Sequence, residues 1–237
     1  MEKLSPRSKA RVAGVLYALE GTASVFDIYF RGRFIASGNA AATAANILAN
    51  ETLFRMAFAA ALLAVAFHLA YTVVFYDLFR PVDRSVSLLA AFVSVAACTL
   101  QAVAALFQLA ALLVVSGGRS VSGFAPAQVH ALALLFLDTN VQAYDIYLIF
   151  FGLWLLPTGY LITRSTFMPH IIGVLVMLDG LGWATYLWPP LASDLYPVIA
   201  VVAAFAEFPL LLWLLVVGVN AQRWREQASV ASAPLGA

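Results

Sequence analysis

The sequence predicts an all-α polytopic bundle of six transmembrane helices with short interfacial helices on the outer side. Two observations carry this. Hydrophobic residues make up 63% of the 237 positions and charged residues 11%, against roughly 45–50% and about 25% in an average soluble domain. Six apolar stretches also reach the length of about 20 helical residues that a bilayer crossing takes. Helices are required because hydrocarbon offers no partner for unpaired backbone groups.

The first span covers about residues 10–30. Its basic start (Lys3, Arg7, Lys9, Arg11) resembles a secretory leader, but Glu20 interrupts the apolar run and no small-residue cleavage site follows, so it reads as a retained helix. The second and third spans cover about 53–79 and 86–115. Before the second, AAATAANILANE (40–51) has helical composition with Ile47 and Leu48 on one side, which predicts a short helix lying at the outer surface. Residues 125–163 would make a helix of about 58 Å at 1.5 Å per residue, too long for one crossing. A break near Asp138-Thr139-Asn140 is therefore expected. It leaves 126–137 as a second surface helix and Asp138 or Thr139 as the cap of a fourth span over 140–163. The fifth span, 170–188, follows Pro169, and the sixth, 197–219, starts at Pro197, where a missing N–H does little harm. Pro157 and Pro209 fall inside spans and predict kinks. Residues 1–225 then form a single transmembrane domain, and the small-residue end ASVASAPLGA makes 226–237 a disordered tail.

Charge predicts the orientation. With both termini in the cytoplasm, the inner segments hold Lys3, Arg7, Lys9, Arg11, Arg80, Arg84, Arg164, Arg223 and Arg225, and the outer segments hold Arg31, Arg33, Arg55 and Arg119. Nine against four is a positive-inside bias. Trp188 and Tyr196 fall at the outer interface and Trp224 at the inner one. The expected partners are the lipid bilayer and a small ligand or another membrane protein; a net charge of +1 argues against nucleic acid. Cys98 is the only cysteine, which excludes a disulfide within the chain and a cysteine-rich metal site. No phosphate loop, HExxH or GxSxG motif is present. The cofactor is left unknown.

Ionisable groups near a bilayer centre cost about 2.5–3.5 kcal/mol each on insertion scales, so each needs a reason. Glu20, His68, Gln101, Asp179 and Glu207 lie near the midpoints of five of the spans, and Trp154 takes that depth in the fourth. They are the candidates for binding a ligand or carrying a proton. Tyr17, Glu20, Ser24 and Asp27 fall within about 80° of one face of the first helix, and Ser94, Gln101 and Gln108 recur every seven residues in the third. Asp138, Gln142 and Asp145 share a face of the fourth. Together with Asp27 they predict a polar path from the outer side. The plainer account is that buried polar groups only glue helices together, at about 0.6 kcal/mol each. One histidine beside three acids can also hold a divalent metal, but a single imidazole is thin support, and no metal site is assigned. Glu51 and Arg55, four apart, predict a local ion pair. Gly180 and Gly182, beside Asp179, predict close approach of another helix or local unwinding.

The runs RVAGVLYAL, AAATAANILANETLFR, FYDLFRPVDRS, LLFLD, FFGLWLLPTGYLITRSTFMPHIIGVL and LWLLVVGVNAQRW resemble, in order, a family of bacterial polytopic membrane proteins catalogued as a domain of unknown function, number four thousand three hundred and eighty-six. The resemblance covers about residues 8–225. It implies a bacterial cytoplasmic (inner) membrane protein of six or seven helices and no activity. The family pattern places histidine at the positions of Asn140 and Trp154 and aspartate at that of Asn39, so this chain departs from it there, and Asp179 departs as well.

Three functions stay open. The first is small-ligand or proton binding and transport through a midplane polar pocket. The second is an accessory or assembly subunit of a larger membrane complex. The third is an intramembrane enzyme using His68 with acids.

Overall fold

The structure is a computed structural model and describes residues 4–117 and 121–232. Among the described residues it is all helical, with α1 (Pro6–Phe34), α2 (Ala40–Ala49), α3 (Glu51–Phe79), α4 (Arg84–Val115), α5 (Pro126–Arg164), α6 (His170–Ala184), α7 (Pro189–Leu212) and α8 (Ala221–Ser232). A 3₁₀ turn, Thr185–Leu187, extends α6, and a π turn, Trp213–Val217, extends α7. With these extensions, α3 to α7 are long and apolar enough to cross a membrane. α1 is as long as α3, at 29 residues, but Lys9, Arg11, Glu20, Asp27, Arg31 and Arg33 punctuate its apolar face. The chain is a polytopic transmembrane helical protein.

Three boundaries and one helix face differ from the sequence reading. α5 is one unbroken helix of 39 residues, with no cap or break at Asp138-Thr139-Asn140 and no separate surface helix over 126–137. Thr139 returns its hydroxyl to the Leu135 carbonyl at 2.8 Å, and Asn140 turns its amide to the Ala104 carbonyl at 2.7 Å. Both polar side chains are thus satisfied with the helix intact. α7 starts at Pro189 and runs through Pro197 rather than starting there. The Pro189-Pro190 pair occupies the first turn, where proline is preferred. In α2, Ile47 is buried and Leu48 exposed, so the two do not share a face. α8 carries residues 226–232 of the expected disordered tail as helix; the remaining residues 233–237 lie outside the described residues.

The chain divides into two compact units. The first holds Met1–Ala18, Phe67–Ala97 and Leu148–Ala237. In it α5 and α6 pack through two glycine pairs seven residues apart. A methyl group on Gly152 would lie 2.6 Å from the Gly180 carbonyl oxygen, and one on Gly159 would lie 2.5 Å from that of Gly173. Only glycine allows backbones this close. Gly182 is different: a methyl there meets Ile199 at an ordinary 3.4 Å. Phe75 stacks on Phe79, which packs on Phe167. Lys9 pairs with Asp77, which also takes Arg80, and Trp224 donates to the Leu78 carbonyl at 2.7 Å. α7 buries Ile199, Ala206 and Leu210 and exposes Val198, Val201, Phe205, Phe208 and Leu212. An apolar stripe of that length suits lipid rather than water.

The second unit holds Leu19–Ala66 and Cys98–Tyr147. Its apolar core joins Phe34, Ile47, Phe54, Leu112 and Leu137, so α2 docks by its buried side into this core. Asn39 caps α2 by accepting from the Ala42 amide at 3.0 Å. Glu51 and Arg55 form the expected exposed ion pair at 2.7 Å. Cys98 is buried and in no disulfide.

Candidate functional site

In the first unit, Asp179 sits deep in α6 and is completely buried. Among the described residues it has no ion pair, and neither carboxyl oxygen makes a hydrogen bond of ordinary geometry. The polar side chains that face it are Glu207 of α7 and Trp183, one turn further along α6. The Trp183 indole N–H is also buried without an acceptor in good geometry. Glu207 is held from the other side: the Tyr17 hydroxyl of α1 donates to its Oε2 at 3.0 Å.

Aromatic rings close a circuit around this pair. Tyr17 stacks on Tyr71 of α3, with centroids 5.3 Å apart. Tyr71 meets Trp154 of α5 edge-on at 5.9 Å, Trp154 meets Phe151 at 5.4 Å, and Phe151 meets Trp183 at 6.4 Å. His68 of α3 packs into the circuit, 4.8 Å from Trp154, and is itself buried. Five helices thus contribute to an apolar-walled site with two facing carboxyls. Gly180, next to Asp179, lets α5 carry its rings up against α6. Water-poor walls strengthen every electrostatic interaction inside them and make an isolated charge costly.

Of the five midplane candidates, Asp179 and Glu207 face each other, and His68 joins them through the rings. Glu20 and Gln101 belong to the second unit. Both are buried, and the Ser24 hydroxyl donates to Glu20 at 3.3 Å. Among the described residues no three His, Cys, Asp or Glu side chains gather as a metal site needs.

The second unit has its own polar centre, built on Arg31. The sequence reading counted Arg31 as an outer-loop charge, yet it is buried. Its Nε lies 3.5 Å from Asp27 Oδ2, it donates to the Asn140 side-chain Oδ1, and its guanidinium lies over the Tyr144 ring at 5.1 Å. Gln101 and Gln108 line the same small cavity of about 10 Å³, room for one water molecule. Of the expected polar path, Asp27 is buried here and Asp145 is half-buried near enough for Arg31 to act on its charge. Asp138 and Gln142 are exposed. Arg31 was within reach of the sequence through its i,i+4 spacing from Asp27, which places acid and base on one helix face. Tyr71 and Trp183 were likewise signalled by their spacing from His68 and Asp179, three and four residues on.

Fold and site together define a polytopic helical membrane protein in which a fully buried Asp179 faces a part-buried Glu207 beside a circuit of aromatic rings. The chain belongs to the DUF4386 family, described as a domain of unknown function, whose family model matches residues 12–218. No curated protein and no solved structure matches the chain.

Proposed function

We propose that the protein binds and carries protons through the Asp179–Glu207 pair. The observation that supports this is the complete burial of Asp179, without an ion pair, facing a second carboxyl. Two like charges side by side in an apolar site cannot both persist, so the pair holds a proton between them. Tyr17 supports the arrangement by donating to one oxygen of Glu207. His68, packed in the same ring circuit, is the neighbouring imidazole, whose two ring nitrogens can accept or donate a proton. Intramembrane acids in such surroundings mark proton relays and ion pathways in membrane carriers. What favours proton chemistry over interhelical glue is the second carboxyl facing Asp179, since glue needs only one acid and a neutral partner.

We place the protein in the bacterial cytoplasmic membrane with both termini in the cytoplasm. Family membership and the positive-inside bias support this. Lys9 and Arg31 are buried in ion pairs; setting aside one from each side of the nine-against-four count leaves eight against three. Lys3 and Arg119, one on each side, lie outside the described residues.

The test is proton movement into liposomes containing the purified protein, followed with an internal pH dye under an imposed potential. Uptake is expected with the native chain and not with Asp179→Asn or Glu207→Gln. Equal uptake by both variants would end the proposal.

A further inference from the structure

A pocket in the first unit, well apart in residues from the acid pair, combines features that the proposed proton chemistry does not use. It lies where α1 begins, where α5 turns into α6, and where α7 passes into α8. It has a volume of about 570 Å³, and its walls include Arg7, Phe167, Met168, Trp213, Asn220 and Arg223. Two arginines therefore line a hollow whose other walls are mostly apolar, and no carboxylate is among the residues lining it. Neither arginine is ion-paired among the described residues; Arg223 donates to the Thr166 carbonyl at 3.3 Å, which leaves most of its fork free.

The backbone of the walls is shaped around Arg7. Gly218 takes φ +72° to end the π turn, and a methyl group there would lie 3.1 Å from Arg7 Cγ. Asn220 then caps α8, accepting from the Gln222 and Arg223 amides at 3.1 Å, and so fixes the base of Arg223.

We infer that this pocket binds the headgroup phosphate of an anionic phospholipid. The two guanidinium groups supply donors to the phosphate oxygens, and the exposed Val217 borders its acyl side. The location favours a lipid over a soluble anion. The pocket sits at the ends of membrane-crossing helices, beside the amphipathic α8, where basic pockets meet headgroups.

Native mass spectrometry of the whole protein released from detergent tests this, with phosphatidylglycerol, phosphatidylethanolamine and inorganic phosphate as separate probes. The native chain is expected to retain phosphatidylglycerol about thirtyfold more than phosphatidylethanolamine, the scale two arginines near a headgroup provide. Arg7→Gln combined with Arg223→Gln should remove that preference, whereas Arg55→Gln, in the other unit, should keep it. Should the double variant lose its fold, Arg7→Gln alone, a side chain with no hydrogen bond among the described residues, should still lower the preference severalfold. Equal retention of the two lipids by the native chain would overturn the inference. So would an undiminished preference in the arginine variants, or competition by inorganic phosphate at the concentration at which the lipid binds.

Discussion

The hydroxyl of Tyr17 donates to Oε2 of Glu207 at 3.0 Å, which ties the first helix to the seventh at the carboxyl that faces Asp179. Because the bond is part-buried beside aromatic rings, its loss removes a donor that water only partly replaces. Tyr17→Phe should therefore destabilise the protein by about 0.6–1.7 kcal/mol, the range found for side-chain hydrogen bonds in membranes. A double-mutant cycle with Glu207→Gln checks this. Full additivity of the two substitutions would show that the bond carries no energy.

The glycine pairs of α5 and α6 make a sharper prediction. Gly159→Ala and Gly173→Ala each place a methyl 2.5 Å from a backbone oxygen, which no side-chain rotation relieves. Overpacking of this kind costs about 1–3 kcal/mol, and the detergent melting temperature should fall accordingly. Gly182→Ala meets only ordinary contacts and Gly21→Ala meets none, so these should be neutral or mildly stabilising, since alanine favours helix by up to about 1 kcal/mol.

Much of this architecture was legible in the chain. Span-length apolar runs give the five long apolar helices α3 to α7, and the spacing of Ser94, Gln101 and Gln108 correctly marks a buried face, since all three are buried. What composition hides is how a polar residue is satisfied. Asp138-Thr139-Asn140 reads as a helix cap because such residues compete for backbone partners. Here Thr139 bonds back to its own helix, and Asn140 reaches α4 and Arg31, so α5 never breaks. Arg31 reads as a loop charge because burial of a guanidinium depends on partners from other helices. The pairing of Asp179 with Glu207 depends on helix rotation and neighbour order, which equal depth in two spans does not specify.

Arg31 and Asp27 form a buried pair, and breaking such a pair is worse than never having it. Arg31→Leu should cost about 3–5 kcal/mol by stranding the Asp27 carboxylate. Asp27→Leu combined with Arg31→Leu should recover most of that loss. Chemical or thermal denaturation of the three variants in one detergent decides it; a double variant as unstable as Arg31→Leu alone would contradict the pairing account.

Orientation is open to direct chemistry because the one native cysteine is buried. In a Cys98→Ala background, cysteine at Ser229 should react with a membrane-impermeant maleimide only after cells are opened, and cysteine at Ser37 should react in intact cells. The reverse pattern would place both termini outside.

The central claim is that Asp179 and Glu207 hold a proton between them, and infrared spectroscopy of the protein in lipid reads this most directly. The native chain should show a carboxylic-acid C=O band at neutral pH that shifts in deuterated water and disappears in both Asp179→Asn and Glu207→Gln. A native spectrum without such a band, or a band unchanged in both variants, would mean that the two carboxyls are charged or that the proton resides elsewhere, and the account would be wrong.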